Sequence, residues 1–216
     1  MRARVVLSLI MLSFSFPLCW LVGVKFYPKP ISVSNTLFRV EICRCDVMGT
    51  LRRMSLEDVD DALSVFAASF EDAWNHYEKD YYPRRALEFD FQQYSREDTE
   101  KRIQEPNSFL FVVEENAKIV GAAIGGILRG NDKEGGLAML SFICIHPLHQ
   151  RKGLGKTLLN HVVEYCKQQK CHKITLYTLP VLIPAMNLYL KLGFVPEAYL
   201  RKEWWNVDFL KMSKWL

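Results

Sequence analysis

A mixed α/β fold is what this sequence predicts, and three stretches predict it. LAMLSFICI (137–145) is nearly continuous in apolar residues, only Ser141 being polar, and reads as a central strand covered on both faces. A glycine-bearing turn follows, and then Leu154, Leu158, Leu159, Val162, Val163 and Cys166 recur at helical spacing. Upstream, SFLFVV and KIVGAAIGGIL flank a polar turn at Glu115 to Ala117, the signature of a β-hairpin.

The remaining elements fall in order around these. Leu51 to Met54 reads as a short strand. Ser55 is the N-cap of the helix that follows, with Asp58 in a capping-box position before the amphipathic run VDDALSVFAASF. Residues 71–95 mix aromatic and charged side chains and are interrupted by Pro83. A second helix is expected over Ser95 to Gln104, ending before Pro106. After the hairpin comes a loop with Asn131, Asp132 and the Gly135–Gly136 pair. The long helix runs from Leu154 to about Gln169, KITLYTL (173–179) is the next strand, and a short helix from Pro184 to Leu192 stops at Gly193. Strand-like segments at Phe194 to Lys202 and Asp208 to Leu216 close the chain. The order is strand-helix-helix-hairpin-strand-helix-strand-helix-strand-strand, without an internal repeat.

Composition bounds what such a fold does. A chain of 216 residues, 50% hydrophobic and 24% charged, suits one domain at 51–216 plus an extension at 1–50. Its net charge of +4 assists an anionic ligand but is too mild to argue for nucleic acid. Six cysteines form no CxxC pair and no Cys/His set with zinc spacing, so no metal is expected. Cys43 and Cys45 form only a CxC in a connector. This usage is that of a reducing compartment, cytoplasmic or organellar. Residues 5–24 carry no charge and follow Arg2 and Arg4. They read either as a signal anchor or targeting segment, or as a removed leader; membrane attachment is expected only if they are retained. MGTLRRM, from Met48, has the look of a domain start.

QRKGLGKTLL (150–159) carries the chemistry. A strand, a glycine turn and a helix make a ready anion site, because the first N–H groups of the helix are free and its dipole favours negative charge. A nucleotide P-loop would need glycine where Gln150 stands, and KITLYTL supplies no acid for magnesium. A dinucleotide turn would need glycine at Leu158. Read as Q-x-x-G-x-G, the stretch lacks nothing, and here the chain resembles the GNAT N-acetyltransferase superfamily, whose acetyl-CoA signature is [QR]-x-x-G-x-[GA] after a central strand. AMNLYLKLGF matches a second segment of that family, A-x-x-L-Y-x-x-x-G-F, through Ala185, Leu188, Tyr189, Gly193 and Phe194.

The resemblance covers about residues 51–216 and implies a GNAT-like acyl-CoA N-acyltransferase fold that acetylates a primary amine of a small molecule or protein. It implies that amides from Arg151 through Lys152, Gly153, Leu154, Gly155 and Lys156 hold the CoA pyrophosphate, with Gln150 opening the turn and Thr157 adding a hydroxyl. It implies that the strand edge at Ile143, Cys144 and Ile145 pairs with the pantetheine arm. Tyr189 is the implied acid for the leaving thiolate. An ammonium of pKa about 10.4 must lose a proton before it attacks, a deficit of about 4 kcal/mol near neutrality. Glu114, at a strand end, is the best-placed carboxylate for that base; His146 and Ser141 are weaker candidates.

Two positions depart from the family pattern. Leu182 stands where many members carry Asn, and Tyr177 where enzymes of the ribosomal-protein type often carry Glu. A non-catalytic acyl-CoA-binding module is therefore the competing reading. The acceptor side is expected among Trp74, Tyr77, Tyr81, Tyr82, Phe89, Phe91, Tyr94, Trp204 and Trp205, interleaved with Glu71, Asp72, Glu78, Asp80, Glu88 and Asp90. The expected partners are acetyl-CoA and an amine, and a homodimer is compatible with both readings.

Overall fold

The structure is a computed structural model that describes residues 49–129 and 136–216; the apolar stretch 5–24 and the loop at 130–135 lie outside the described residues. The strands are β1 (Thr50–Arg53), β2 (Ser108–Glu115), β3 (Lys118–Leu128), β4 (Leu137–Ile145), β5 (Lys173–Thr178), β6 (Val195–Leu200) and β7 (Phe209–Trp215). The helices are α1 (Val59–Ala73), α2 (Arg84–Gln92), α3 (Arg96–Gln104), α4 (Leu154–Gln168) and α5 (Ile183–Lys191).

All seven strands join one sheet in the order β1-β2-β3-β4-β5-β7-β6. Only β4 and β5 run parallel, joined by α4 as a crossover; the other pairs are antiparallel. Alternation along β2 sends Phe109, Phe111 and Val113 to the α4 face, and Leu110 and Val112 to the α1 face. On the first face they meet Leu154, Leu158, Leu159, Val162 and Val163, the apolar stripe of α4. On the second they meet Ala62, Val65 and Phe66 of α1. β4 is thus central and covered on both faces, as its composition requires.

The segment 71–95 differs from the expectation. It contains α2, absent from the predicted order, because Pro83 starts a helix instead of interrupting one. Its ψ is extended, and the N–H it lacks would have had no partner at a helix start. Ahead of it, α1 continues into a π-helical turn at Trp74–Glu78. Such a turn inserts one residue into the helical register, and Glu78 ends up buried.

The parallel pair is short. β4 and β5 are registered only from Leu137↔Lys173 to Leu140↔Leu176, after which they part. A bulge accompanies the parting: Ile124 faces Phe142 while Gly125 faces Leu140, leaving Ser141 unpaired. Gly125 is needed there, since a Cβ would overlap the ring of Phe109 and the carbonyl oxygen of Met139.

At the edge of the sheet, the N–H of Ser55 donates to Asp58 at 2.7 Å, the reciprocal arm of a capping box. The Arg52 guanidinium grips Asp58 at 2.7 and 2.8 Å and holds its carboxyl well below the usual range. A carboxylate depressed in this way stabilises the fold above its unfolded pKa and loses that contribution as the pH falls. Asp58→Ala is expected to lower the unfolding free energy by about 2 kcal/mol at pH 7, after discounting for the part-exposed arginine. The difference from the parent chain should shrink below pH 4, and urea unfolding across that range measures it.

Candidate active site

Where β4 and β5 part, a cleft of about 1010 Å³ opens. Leu140 to Ile145 form one wall and Leu176 to Leu179 the other, with α5 and the α4 start at one end. The backbone of β4 is phased by its other neighbour. His146 N–H donates to Val120 at 2.8 Å, and Cys144 and Phe142 are registered with Ala122 and Ile124. Alternation therefore turns the polar groups of Phe142 and Cys144 toward β3, and those of Ser141, Ile143 and Ile145 into the split. Two contacts agree. Ser141 O accepts from Tyr94 Oη at 3.2 Å, and Ile145 O accepts from Gln150 Nε2 at 3.1 Å. Cys144, expected at the strand edge, is thereby corrected: its amide and carbonyl belong to the β3 ladder, and burial pushes its thiol up to about 12. Among the described residues no strand faces Ile143 on the split side, where the alternation turns its N–H and C=O.

The turn after β4 is built to expose amides. Arg151 and Gly153 both take positive φ, 65° and 89°, and Gly153 caps α4. Among the described residues, no acceptor meets the N–H groups of Arg151 through Lys156; the first helical bond is Thr157 N–H to Gly153 O, at 3.1 Å. Gln150 does not point outward as a ligand would require. Its amide pins the turn to Ile145 O and approaches Asp72 at 3.5 Å. Lys152, Lys156 and Thr157 are exposed on the rim, with Lys152 drawn toward Glu115 at 3.9 Å. A Cβ on Gly155 would meet only ordinary contacts, Leu188 at 3.5 Å and Ile145 at 3.7 Å, so packing does not demand this glycine. Its bareness keeps the amides of the turn open to something outside the chain. An anionic, amide-bearing molecule such as acyl-CoA fits this arrangement of free N–H groups and free strand edge.

Tyr189 reaches the same cleft from α5. It is buried against Phe194, its phenol has no hydrogen-bond partner among the described residues, and burial raises its pKa well above 10. Glu114 is not brought to the cleft. It lies on β2, two strands from the split, and accepts from Arg52 at 2.9 and 3.1 Å. Proximity to the strand end suggested it, but the arginine one strand away claims it. His146 caps the turn, accepting from Leu148 N–H at 3.3 Å, and His149 is held by Glu115 at 2.6 Å.

The expected acceptor cluster divides. Asp72, Tyr77, Glu78, Tyr82, Phe89, Asp90, Tyr94, Trp204 and Trp205 line the cleft, whereas Trp74, Tyr81, Phe91, Glu71, Asp80 and Glu88 do not. Glu71 and Glu88 pair with Arg84 on the surface. Composition could not make that division, which depends on the unforeseen π turn and α2. It also missed Ser69, whose hydroxyl contacts Ile145 O at 3.4 Å, and Glu203 at the aromatic end. Among the described residues no group of His, Cys, Asp and Glu could hold a metal ion, and no helix is long and apolar enough to cross a membrane.

A sheet split beside an amide-lined helix start defines a class of protein, the acyl-CoA-dependent N-acyltransferases. The Acetyltransferase (GNAT) family model matches residues 66–194, and the chain belongs to this family. It is an N-acetyltransferase that uses acetyl-CoA. A Bacillus subtilis (strain 168) protein provisionally named a ribosomal protein bS18-alanine N-acetyltransferase is 28% identical over 156 residues, 72% of this chain and 86% of that one. The PaiA N-acetyltransferase of Thermoplasma acidophilum, solved with coenzyme A, superposes with a TM-score of 0.65 at 20% identity, covering 78% of this chain and 99% of its own. Mutant forms of the spermidine/spermine N-acetyltransferase SpeG from Vibrio cholerae give 0.56 at 26% identity, covering 77% and 94%.

Glu78 is only 5% exposed, and burial next to Asp90 raises its pKa to about 7. An acid whose pKa is higher in the folded state binds more protons there, so stability falls as the pH rises from its unfolded value to its folded one. Urea unfolding of the chain without ligand should show a decline of up to about 3 kcal/mol between pH 4.5 and 7, and Glu78→Gln should remove most of it. A flat profile in the parent chain would contradict the buried carboxylate.

Proposed function

We propose that the chain acetylates a primary amine that enters from the aromatic end of the cleft and meets the thioester beside Tyr189. The observation that supports this most directly is the Tyr189 phenol, unpartnered among the described residues and held in the same cleft as the β4 edge and the open amides of the α4 start. When bound, acetyl-CoA supplies the activated acetyl group. Free amides of Arg151 through Lys156 would hold its pyrophosphate, with Arg151, Lys152 and Lys156 adding positive charge and Thr157 a hydroxyl. The N–H and C=O of Ile143 would hold the pantetheine arm, and Gln150 would keep the turn in place. Tyr189 stays protonated at every working pH because burial has raised it, so it has a proton to give to the leaving sulfur.

Relatives named for a protein alanine and for polyamines leave both a protein terminus and a small amine as acceptors. Tyr177, at the mouth against Trp204, favours the small amine, because it puts an aromatic wall where an α-amino acceptor would gain from a carboxylate. Cys144, Cys166 and Cys171 are buried free thiols, consistent with a reducing compartment.

Thiol release from acetyl-CoA with a panel of amines tests the reading on the whole chain. Tyr189→Phe should lower kcat by about 100-fold with little change in the KM for acetyl-CoA. Gly155→Ala should leave the unliganded fold as stable or more so, by up to about 1 kcal/mol, while weakening acetyl-CoA binding about tenfold. Stabilisation by acetyl-CoA without thiol release from any amine would instead mark a binding module.

A further inference from the structure

The cleft differs in charge between its two ends. Arg151 and the open amides stand at the glycine turn, with Asp72 beside Gln150, while Glu78, Asp90 and Glu203 stand at the aromatic end. Two of these carboxylates are unusual. Asp90 accepts the Tyr82 phenol hydrogen at 2.5 Å, and Glu78 has no hydrogen-bond donor and no ion-pair partner among the described residues, although it is 95% removed from solvent by its 5% exposure. The two lie near enough to repel one another, and no lysine or arginine of the described residues bridges them. The guanidiniums at the start of α2 are committed elsewhere, Arg84 to Glu71 and the Trp74 ring and Arg85 to the Trp205 ring, and Arg102 lies over the Tyr94 ring.

A buried carboxylate without a donor is costly, and two in one chamber more so. The fold nevertheless holds them firmly. Tyr81 and Tyr82 N–H groups both donate to Glu78 O at 2.7 Å, and Trp74 Nε1 donates to Tyr82 O at 3.3 Å. Tyr77 and Phe89 line the same cleft, and their ring faces attract cations. Open cleft, aromatic walls and an unpaired acid aimed into it describe a site for an ammonium ion that the chain does not itself supply.

That ammonium is not the reacting one. A nucleophilic amine must be neutral, and a carboxylate pair holds an amine charged. The pair also sits with Tyr82 against Leu179 and Phe209, at the ends of β5 and β7, whereas Tyr189 packs with the α4 and α5 residues of the other cluster. Resting on the acetyl-transfer reading for the reacting end, we propose that Glu78 and Asp90 bind the second, non-reacting ammonium of an aliphatic diamine, and so select diamines over monoamines. The two carboxylates fix the distal charge, the aromatic side chains line the methylene path, and the neutral amine is left at the β4 edge.

Cadaverine and n-hexylamine, of similar length but differing in the distal charge, are the probes. With the whole chain and acetyl-CoA, kcat/KM for cadaverine should exceed that for n-hexylamine about tenfold or more, chiefly through KM. Glu78→Gln and Asp90→Asn should each bring the cadaverine value down toward that of n-hexylamine. Cadaverine should also raise the Tm of the parent chain in the presence of CoA, and n-hexylamine should not. Equal values for the two amines in the parent chain would overturn the proposal without a variant being made. So would an equal fall in kcat for both amines in Glu78→Gln, which would make Glu78 the proton acceptor of the reaction. If no amine of the panel releases thiol from acetyl-CoA, yet cadaverine still raises the Tm of the parent chain and not of Glu78→Gln, the cation site stands and the acetyl-transfer reading fails.

Discussion

The parting of β4 from β5 after Leu140 is the constraint on which the rest of the molecule depends. A parallel pair that continued past Leu140 would satisfy Ile143 and Ile145 within the sheet and close the cleft. The bulge at Ser141 forbids this by shifting the phase of β4 against β3, and the bulge in turn requires the bare backbone of Gly125 under Phe109. One glycine far from the glycine turn therefore decides whether any strand edge faces the cleft. The cost is backbone at Ile143 that has no strand partner on the split side among the described residues, tolerable because water or a ligand amide replaces the missing strand.

The cleft so formed is electrically directional. Free N–H groups and Arg151 make one end attractive to phosphate, and a helix dipole reinforces it. At the other end burial raises both Glu78 and Asp90, and the Tyr82 hydrogen bond opposes the rise at Asp90. An anion and a cation entering one channel from opposite ends are thereby sorted before they meet. Tyr189, neutral and without a hydrogen-bond partner among the described residues, stands on α5 beside the α4 start. Its neutrality is useful, since a charged group near the reaction would bias the cleft toward one ligand.

Much of this was legible in the sequence. Every strand and the two glycine segments around α4 and α5 follow from local rules of pattern and turn chemistry, and so does the capping box of Ser55 and Asp58, although Ser55 caps a 3-10 turn at Leu56–Asp58 and Asp58 is the N-cap of α1. The amide cradle was readable because its determinants, Gly153 and the start of α4, are contiguous. The failures share a cause, long-range pairing. Glu114 looked placed for chemistry because it ends a strand, yet Arg52, 62 residues away in sequence, holds it. Cys144 looked like a strand-edge residue, but only the register with β3 tells which alternate residues face the split. Residues 71–95 concealed a π turn and a helix for different reasons: the π turn departs from the 3.6-residue period, while α2 is only nine residues long and opens at Pro83, which reads as an interruption.

The π turn bears most on what the enzyme can accept. Had α1 continued as a regular helix, the register would have placed Glu78 differently around the axis. With the extra residue inserted, Glu78 is buried. The loop that follows is tied down at Tyr81, which accepts from Asp208 N–H at 3.1 Å and donates to Asp208 O at 2.9 Å, so the insertion cannot relax by letting Glu78 swing out. Stability lost in burying the carboxylate is thus retained as a preformed negative site. A cation that enters recovers part of it, because an ammonium offers three donors to groups that have too few.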